Sequence, residues 1–241
     1  MPVSPPDLAL AIVVIAFSAL VQGVIGIGFN VISVPILLLI NPLLAPVPNL
    51  LIAVPLSVFM VVRERGSIDR SGVGWILLGR IPGGLIGLGL LLMLSSRGLD
   101  VTLALIVLLA VFIVGTGVAL RRNRATEFGT GVVSGIAGIV GAIGGPPLGV
   151  LYRDASGPTV RSTLAVVFSV GLLLSIVFRT VGGQIVATDL QIAVYLLPAM
   201  ALGLAISSKV KDRVEGAWIK RGILTISALA ATALLLRSLQ G

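Results

Sequence analysis

Long apolar runs separated by short polar stretches extend over the whole chain. Each run has about 20 residues, and a helix of that length crosses a hydrocarbon core of roughly 30 Å. The runs are Asp7 to Gly28, Gly72 to Leu94, Val101 to Leu120, Leu190 to Ile206 and Ala217 to Leu236. This pattern predicts an all-α polytopic membrane protein.

Two apolar stretches contain helix breakers where a continuous helix would cost least. They are QGVIGIGFNVISVP, from Gln22 to Pro35, and SGIAGIVGAIGGPP, from Ser134 to Pro147. Irregular backbone at membrane depth is tolerated only where protein or a water-filled cavity covers it, so the breaks should face the protein interior. An inward-pointing half-helix N-terminus offers free N–H groups that suit an anion. We interpret the breaks as a binding site; the alternative is that their glycines only allow close helix packing.

The second half of the chain repeats the pattern of the first, which indicates an internal duplication. An offset of 112 residues places Pro35 on Pro147, and after an insertion of four residues an offset of 116 places Pro82 on Pro198. In each repeat, a glycine- and proline-broken hairpin, re-entrant or bent, precedes three transmembrane helices. The predicted regions are a first repeat at 1–120, a cytoplasmic linker at 121–127 and a second repeat at 128–241.

The loop charges predict that the two repeats have opposite orientations. Lys and Arg collect in three stretches, which are Arg63 to Arg70, Arg121 to Arg124 and Ser207 to Arg221. The positive-inside rule places these stretches in the cytoplasm and both termini outside. The second hairpin then enters and returns at the cytoplasmic face, where the loop Tyr152 to Arg161 lies. Inverted repeats are typical of secondary transporters, whose substrate sites lie near the midplane where the repeats meet.

Composition restricts the chemistry. The 241 residues are 57% hydrophobic and 11% charged, and the mean hydropathy is +1.16. The chain has no cysteine and no histidine, so thiolate chemistry is excluded and no metal site or cofactor is expected. It also lacks a GxxxxGK[ST] loop and a nucleophile–base pair, which argues against an enzyme. The net charge of +8 reflects basic loops and not a nucleic-acid partner; the expected partners are the lipid bilayer and a small anion.

The two broken stretches resemble the glycine motifs of the TauE/SafE sulfite and organosulfonate exporters, also called the four-toluenesulfonate uptake permease family. The likeness covers essentially the whole chain, including RSTLAVVFS, PGGLIGLGL and PAMALGLAI. It implies a multi-pass transporter of the inner (plasma) membrane for small anions, commonly sulfur oxyanions, sulfonates or related carboxylates. The chain departs from the family pattern at Phe29, Asn30 and Val140, where further glycines are frequent, and it lacks the cysteines that some relatives use for thiosulfate.

Arg80 is the most informative charged residue, because it lies between Gly72 and Leu94 in an apolar run. Its spacing from Gly72 places it about 12 Å into the span, and a charge at that depth is rare and by default functional. The forked guanidinium matches carboxylate or sulfonate oxygens, so we interpret Arg80 as a counter-charge to an anionic substrate. The alternative is that its side chain extends to the cytoplasmic interface.

The other candidate substrate-binding residues lie in or beside the broken stretches. They are Gln22, Gly26, Asn30, Ser33, Ser134, Gly138, Gly144, Gly145, Pro146 and Arg161. The polar side chains could bind the oxygens of the anion, or cap the broken helices instead. Arg161 precedes a crossing helix and is either a second anion contact or, as a residue of the flanking loop, a topology or phospholipid anchor. Arg179 and Asp189 flank the outer loop, where we expect water to solvate them.

These observations predict a secondary transporter that exports small organic or sulfur-containing anions such as sulfite, sulfonates or sulfoacetate. No Asp, Glu or His falls deep within a predicted span, so the usual residues of a proton relay are missing. The inside-negative membrane potential drives an anion outward. An anion channel on the same scaffold and a non-transporting membrane subunit are the alternatives. The small residues of PGGLIGLG are compatible with a homodimer contact.

Overall fold

The chain folds into helices joined by short turns. A computed structural model describes residues 2–116, 120–211 and 216–240, and these residues contain α-helices and no β-strand. The helices of the first half are α1 (Pro5–Ile25), α2 (Phe29–Ile40), α3 (Val47–Glu64), α4 (Arg70–Met93) and α5 (Ser96–Thr116). The helices of the second half are α6 (Arg124–Gly141), α7 (Gly145–Leu151), α8 (Gly157–Val181), α9 (Ala187–Val210) and α10 (Gly216–Gln240). The prediction of an all-α fold is confirmed.

In the described part of the chain, five helical stretches are long and apolar enough to cross a membrane. They are α1, the stretch Pro42–Ser67 that contains α3, and the helices α4, α8 and α9. Their outer faces carry large apolar side chains: Val13 on α1 is 66% exposed and Met93 on α4 is 86% exposed. Such surfaces are rare on proteins that face water and are expected where lipid covers them. The chain is therefore a multi-pass membrane protein, as predicted.

Some predictions fall partly on residues outside the described ranges. Residues 117–119 of the predicted span Val101 to Leu120 lie outside them, as do residues 212–215 of the basic stretch Ser207 to Arg221 and the C-terminal Gly241.

Local sequence signals set several helix ends. Ser4 caps α1 and Ser156 caps α8, because each hydroxyl accepts a hydrogen bond from the backbone N–H three residues later. Asn123 and Thr126 form a capping box at the start of α6. Helix α6 consequently begins at Arg124, inside the segment 121–127 that we interpreted as a linker.

The packing of the helices is reciprocal between the two halves. Helix α1 packs on α9 and α4 packs on α6, so the first helix of each half contacts the fourth helix of the other half. Helix α3 packs on α8, and α5 packs on α10, so the third helices contact each other and the fifth helices do the same. A two-fold relation between the halves would produce this pattern. The opposite orientation of the halves in a membrane stays a prediction.

Small residues bring α4 and α6 into backbone contact. Gly79 and Gly83 of α4 lie so close to the α6 backbone that an added Cβ would overlap it. Gly84 and Gly87 are buried too, against side chains of α8 and α6. Three glycines of PGGLIGLG, Gly83, Gly84 and Gly87, therefore pack inside a single chain. A homodimer stays a prediction, and these three glycines do not support it.

Candidate anion-binding site

Each half of the chain contains a helical hairpin that breaks at its glycine-rich stretch. Between α1 and α2, Gly26 and Gly28 adopt φ angles of 97° and 127°, which glycine tolerates and other residues rarely adopt. Between α6 and α7, Ala142 adopts a φ of 58°. Helix α6 closes there in an αL cap, in which the Ala142 N–H donates to the Gly138 carbonyl at 3.0 Å. The breaks thus lie within the two stretches where glycine and proline predicted them.

Gln22 and Ser134, which are equivalent at the offset of 112, each support the break that follows their own helix. Gln22 donates from Nε2 to the Gly26 carbonyl at 3.1 Å and accepts from the Phe29 N–H at 3.0 Å. Ser134 donates to the Gly144 carbonyl at 2.6 Å. These bonds satisfy backbone groups that have no helical partner at a break. Both side chains therefore have the capping role that we considered as an alternative.

The two breaks contact each other. Asn30, in the first turn of α2, donates from Nδ2 to the Ala142 carbonyl at 2.7 Å. Because Asn30 and Ala142 are separated by the repeat offset of 112 residues, this contact joins matching positions of the two halves. The Oδ1 atom of Asn30 is buried and has no hydrogen-bond partner within the chain. This oxygen could accept a hydrogen bond from the hydroxyl of a protonated oxyanion.

Arg80 extends from α4 toward the second break and is only 3% exposed. Its Nη1 donates to Ser134 Oγ at 3.1 Å, and its guanidinium lies so close to Gly138 and Gly171 that an added Cβ at either would overlap it. Helix α4 begins at Arg70, which places Arg80 about 15 Å along it. Among the described residues, no carboxylate forms an ion pair with Arg80. The interface alternative for Arg80 is therefore wrong.

A small cavity of ≈ 40 Å³, which we name the central cavity, lies where the breaks meet. Six of the predicted site residues line it: Gln22, Asn30, Arg80, Gly138, Gly144 and Gly145. Its volume corresponds to about three water molecules. Arg80 is the charged side chain among the described lining residues. A buried guanidinium beside an amide and exposed backbone suits a small oxyanion.

A larger cavity of ≈ 380 Å³, which we name the vestibule, adjoins the central cavity. Gly28 and Val31 line both cavities. Two further predicted site residues, Pro146 and Arg161, line the vestibule. Its other walls include Tyr152 and Arg153 of the loop after α7, which the charge pattern predicts to be cytoplasmic. The vestibule thus connects that end of the protein with the breaks.

Arg161 is buried in the protein at 7% exposure. Its Nη1 donates to the Val24 carbonyl at 3.4 Å, and its Nη2 donates to Glu64 Oε2 at 3.5 Å. Its backbone also packs against Gly26, where an added Cβ would lie 3.0 Å from the Arg161 Cα. Arg161 lies in the first turns of α8 and not before that helix, and groups of the protein bind its guanidinium, which does not favour a phospholipid anchor.

Arg179, which we expected to be solvated, is 3% exposed and caps the broken helix α6. Its Nε and Nη2 donate to the Ile139 carbonyl at 2.9 and 2.6 Å, and Nη2 also donates to the Val140 carbonyl at 3.0 Å. Carbonyls in the last turn of a helix have no helical donor, so an arginine is a suitable partner. Asp189 is partly exposed and accepts from the Val186 N–H at 2.9 Å.

A polar cluster holds α4, α6 and α7 together beside the vestibule. Arg122 pairs with Asp69 and lies over the Tyr152 ring, 4.4 Å from its centroid. Burial acts to raise the pKa of the Asp69 carboxyl, but hydrogen bonds from Ser71 and Arg122 outweigh it and lower that pKa. Burial raises the pKa of Tyr152 to about 12. The phenol that lines the vestibule is therefore neutral at physiological pH.

The predicted site residues thus divide between two cavities and their supports. Gly26, Ser33 and Ser134 are not among the described residues that line either cavity, and Ser33 donates to the Phe29 carbonyl at 2.6 Å. Several residues at or beside the cavities had escaped prediction. Gly171 makes room for Arg80, and Glu64 pairs with Lys211 at 2.6 Å beside the vestibule. The feature that distinguishes Glu64 is the burial of its carboxylate, and the sequence does not reveal this burial.

Comparison with known proteins identifies the family. No curated protein and no solved structure matches the chain. A family model described as sulfite exporter TauE/SafE matches residues 10–234, a range that includes both breaks and the residues of both cavities. The match agrees with the resemblance of the two glycine motifs. The chain therefore belongs to the sulfite exporter TauE/SafE family, a family of membrane transporters.

Proposed function

We propose that the chain is a secondary transporter that exports small sulfur-containing or organic anions from the cytoplasm, with its substrate site at the central cavity. The observation that carries this proposal is the environment of Arg80. A guanidinium that is 3% exposed and has no carboxylate partner among the described residues is costly unless an anion joins it. The cavity beside it is a place for that anion.

The size of the central cavity favours a small substrate. A volume of ≈ 40 Å³ suits a compact oxyanion such as sulfite better than a bulky sulfonate. The Arg80 guanidinium would bind two oxygens of the anion, and the Asn30 Oδ1 atom would accept a hydrogen bond if the anion carries a proton. A proton carried on the substrate would require no titratable relay residue in the protein.

The vestibule favours export. It leads from the predicted cytoplasmic end to Gly28 and Val31, which it shares with the central cavity, so an anion from that side could reach Arg80. The inside-negative potential contributes about 2.3 kcal/mol per charge per 100 mV toward outward movement. We propose the inner (plasma) membrane as the location, with both termini outside. The proposal contains no catalytic step.

Sulfite flux through purified protein in liposomes tests this function. The chain is reconstituted at a fixed membrane potential, and flux of radiolabelled sulfite is measured against its concentration, with sulfoacetate and acetate as competitors. We expect saturable flux. Arg80→Gln should raise the KM roughly 10- to 100-fold, because it removes charge-assisted hydrogen bonds. Arg65→Gln, at an exposed arginine in the turn Arg65–Ser67, is the matched control and should leave the KM unchanged.

Two other outcomes would indicate a different function for the chain. Flux that rises linearly without saturation and shows no counter-transport indicates an anion channel on the same scaffold. Absence of flux when sulfite, sulfoacetate and acetate are each supplied radiolabelled, from protein whose thermal unfolding transition shows that it is folded, indicates a non-transporting membrane subunit.

A further inference from the structure

Glu64, at the C-terminal end of α3, lies at the centre of a buried charge cluster beside the vestibule. Its side chain is 7% exposed. Its Oε1 atom lies 3.1 Å from Arg63 Nε, 3.3 Å from Arg161 Nε and 2.6 Å from Lys211 Nζ. The cluster joins α3 with the start of α8 and the end of α9, which belong to different halves of the chain.

Cations surround the carboxylate of Glu64. Among the described residues, three of them lie within ion-pair distance of it. The side chain of Arg161 is 9% exposed. Its Nε atom is buried without a hydrogen-bond partner, because its approach to Glu64 has ion-pair distance but no hydrogen-bond alignment. This donor of Arg161 thus lacks an acceptor with good geometry, and a buried donor of this kind is costly.

Two cations of this cluster lie at the wall of a cavity. Arg161 and Lys211 line the vestibule, and Arg153 is a third cation on its wall. Gly157, the first residue of α8, lines it as well, so the positive end of that helix dipole adds to the potential. Glu64 is not among the described residues of the wall and contacts its cations from behind. The ≈ 380 Å³ of the vestibule leave ample room for a small anion in front of them.

We propose that the vestibule contains a second anion-binding site, formed by Arg153, Arg161 and Lys211, and that Glu64 is a tethered competitor for it. This inference rests on the proposed transport function, because it adds a first binding step for a substrate on its way to Arg80. An oxyanion that enters the vestibule takes over the donors of Arg161 and Lys211 that Glu64 holds in its absence.

A tethered competitor suits a transport pathway. A site of three cations without a counter-charge would bind an anion tightly and release it slowly, whereas conduction requires sites that an ion can also leave. Glu64 re-forms its pairs as the anion departs, which lowers the cost of release. Gly28 and Val31, shared by the two cavities, provide the contact across which the anion passes to the central cavity.

Sulfite binding to the full-length chain in detergent tests the proposal independently of transport. Isothermal titration calorimetry with sulfite measures the affinity of each variant. Glu64→Gln keeps the side-chain shape but removes the charge of the competitor, so sulfite should bind at least about fivefold more tightly. Lys211→Gln should weaken binding, and Arg65→Gln, at a cation that is not among the described residues of the vestibule wall, should leave it unchanged.

An Arg80→Gln background separates this inference from the proposed function. There the central site is disabled, and remaining sulfite binding that still responds to Glu64→Gln and Lys211→Gln supports the vestibule site even if no flux is found in liposomes. If neither Glu64→Gln nor Lys211→Gln changes the affinity for sulfite, the second site is overturned. The proposal that Arg80 binds the transported anion is not affected by that result. If Glu64→Gln does not fold, Lys211→Gln and Arg153→Gln decide: wild-type affinity in both overturns the second site.

Discussion

At the scale of single residues, Gly171 determines where the Arg80 guanidinium can lie. An added Cβ at Gly171 would overlap the guanidinium of Arg80, which would have to move away from Ser134. The guanidinium is the end of a flexible side chain, so folding should survive the change. We expect Gly171→Ala to raise the KM for sulfite roughly tenfold, the equivalent of one weakened charge-assisted hydrogen bond. Concentration-dependent flux in liposomes measures this.

Gly74→Ala is the matched control for that substitution. Gly74 lies on α4, the helix that carries Arg80, and an added Cβ there meets no atom within 4 Å. Both changes replace a helical glycine and so raise helix propensity by about 1 kcal/mol. Wild-type KM in both variants would show that the position of the Arg80 guanidinium does not matter for transport.

Individual residues were predictable from sequence when their neighbours in the chain made them unusual. Arg80 could be identified because apolar residues surround it on both sides. Glu64 could not, because it follows Arg63 in a basic stretch that is typical of a cytoplasmic loop, and its partners Arg161 and Lys211 lie 97 and 147 residues away. Arg179 was misinterpreted for the same reason, since its acceptors on α6 are 40 and 39 residues distant.

At the scale of helices, arginines from the third helix of each half cap the broken helix of the same half. Arg179 on α8 donates to the Ile139 and Val140 carbonyls of α6, and Arg63 on α3 donates to the Gly23 carbonyl of α1 at 2.6 Å. We expect Arg179→Met to lower the free energy of unfolding by about 1–3 kcal/mol, because it leaves buried carbonyls without donors. The thermal unfolding midpoint in detergent should fall accordingly.

Arg237→Met tests whether the burial of the arginine and its carbonyl acceptors causes the predicted loss of stability. Arg237 on α10 also donates to two helix carbonyls, those of Leu38 and Leu39 at 3.2 Å, but it is exposed, so solvent can replace it. This change should alter the free energy of unfolding by no more than about 0.5 kcal/mol. Equal losses of stability in the two variants would contradict the argument.

The helices themselves could be predicted well, because their signals are local. Runs of about 20 apolar residues and the breaks at Gly26 and Gly144 follow from chain-local preferences. The positive φ of Ala142 could not be predicted, because alanine has no intrinsic preference for it. The bond from the Ala142 N–H to the Gly138 carbonyl accompanies that conformation. So does the Asn30 side chain, which donates to the Ala142 carbonyl at 2.7 Å, and this second contact depends on the tertiary fold.

At the scale of the whole molecule, the sequence repeat and the reciprocal packing define pairs of equivalent turns in the two halves. The side of the membrane on which each turn lies tests whether the halves are inverted. If the halves are inverted, the turn after α3 and the turn after α8 lie on different sides of the membrane. The end of α9 and the turn after α4 form a second such pair. Because the chain contains no cysteine, single cysteines report sidedness without any background substitution.

We expect Arg65→Cys and Lys209→Cys to react with a membrane-impermeant maleimide only after the cells are permeabilised. Ser95→Cys and Gln184→Cys should react in intact cells, because the positive-inside rule places their turns outside. Arg65, Ser95 and Lys209 are exposed and Gln184 is partly exposed, so each substitution should leave the packing intact. Labelling of Arg65→Cys and Gln184→Cys from the same side would exclude inversion. A site built from two matching breaks would then need an explanation other than alternating exposure of equivalent halves, since only an inverted pair can exchange conformations by symmetry.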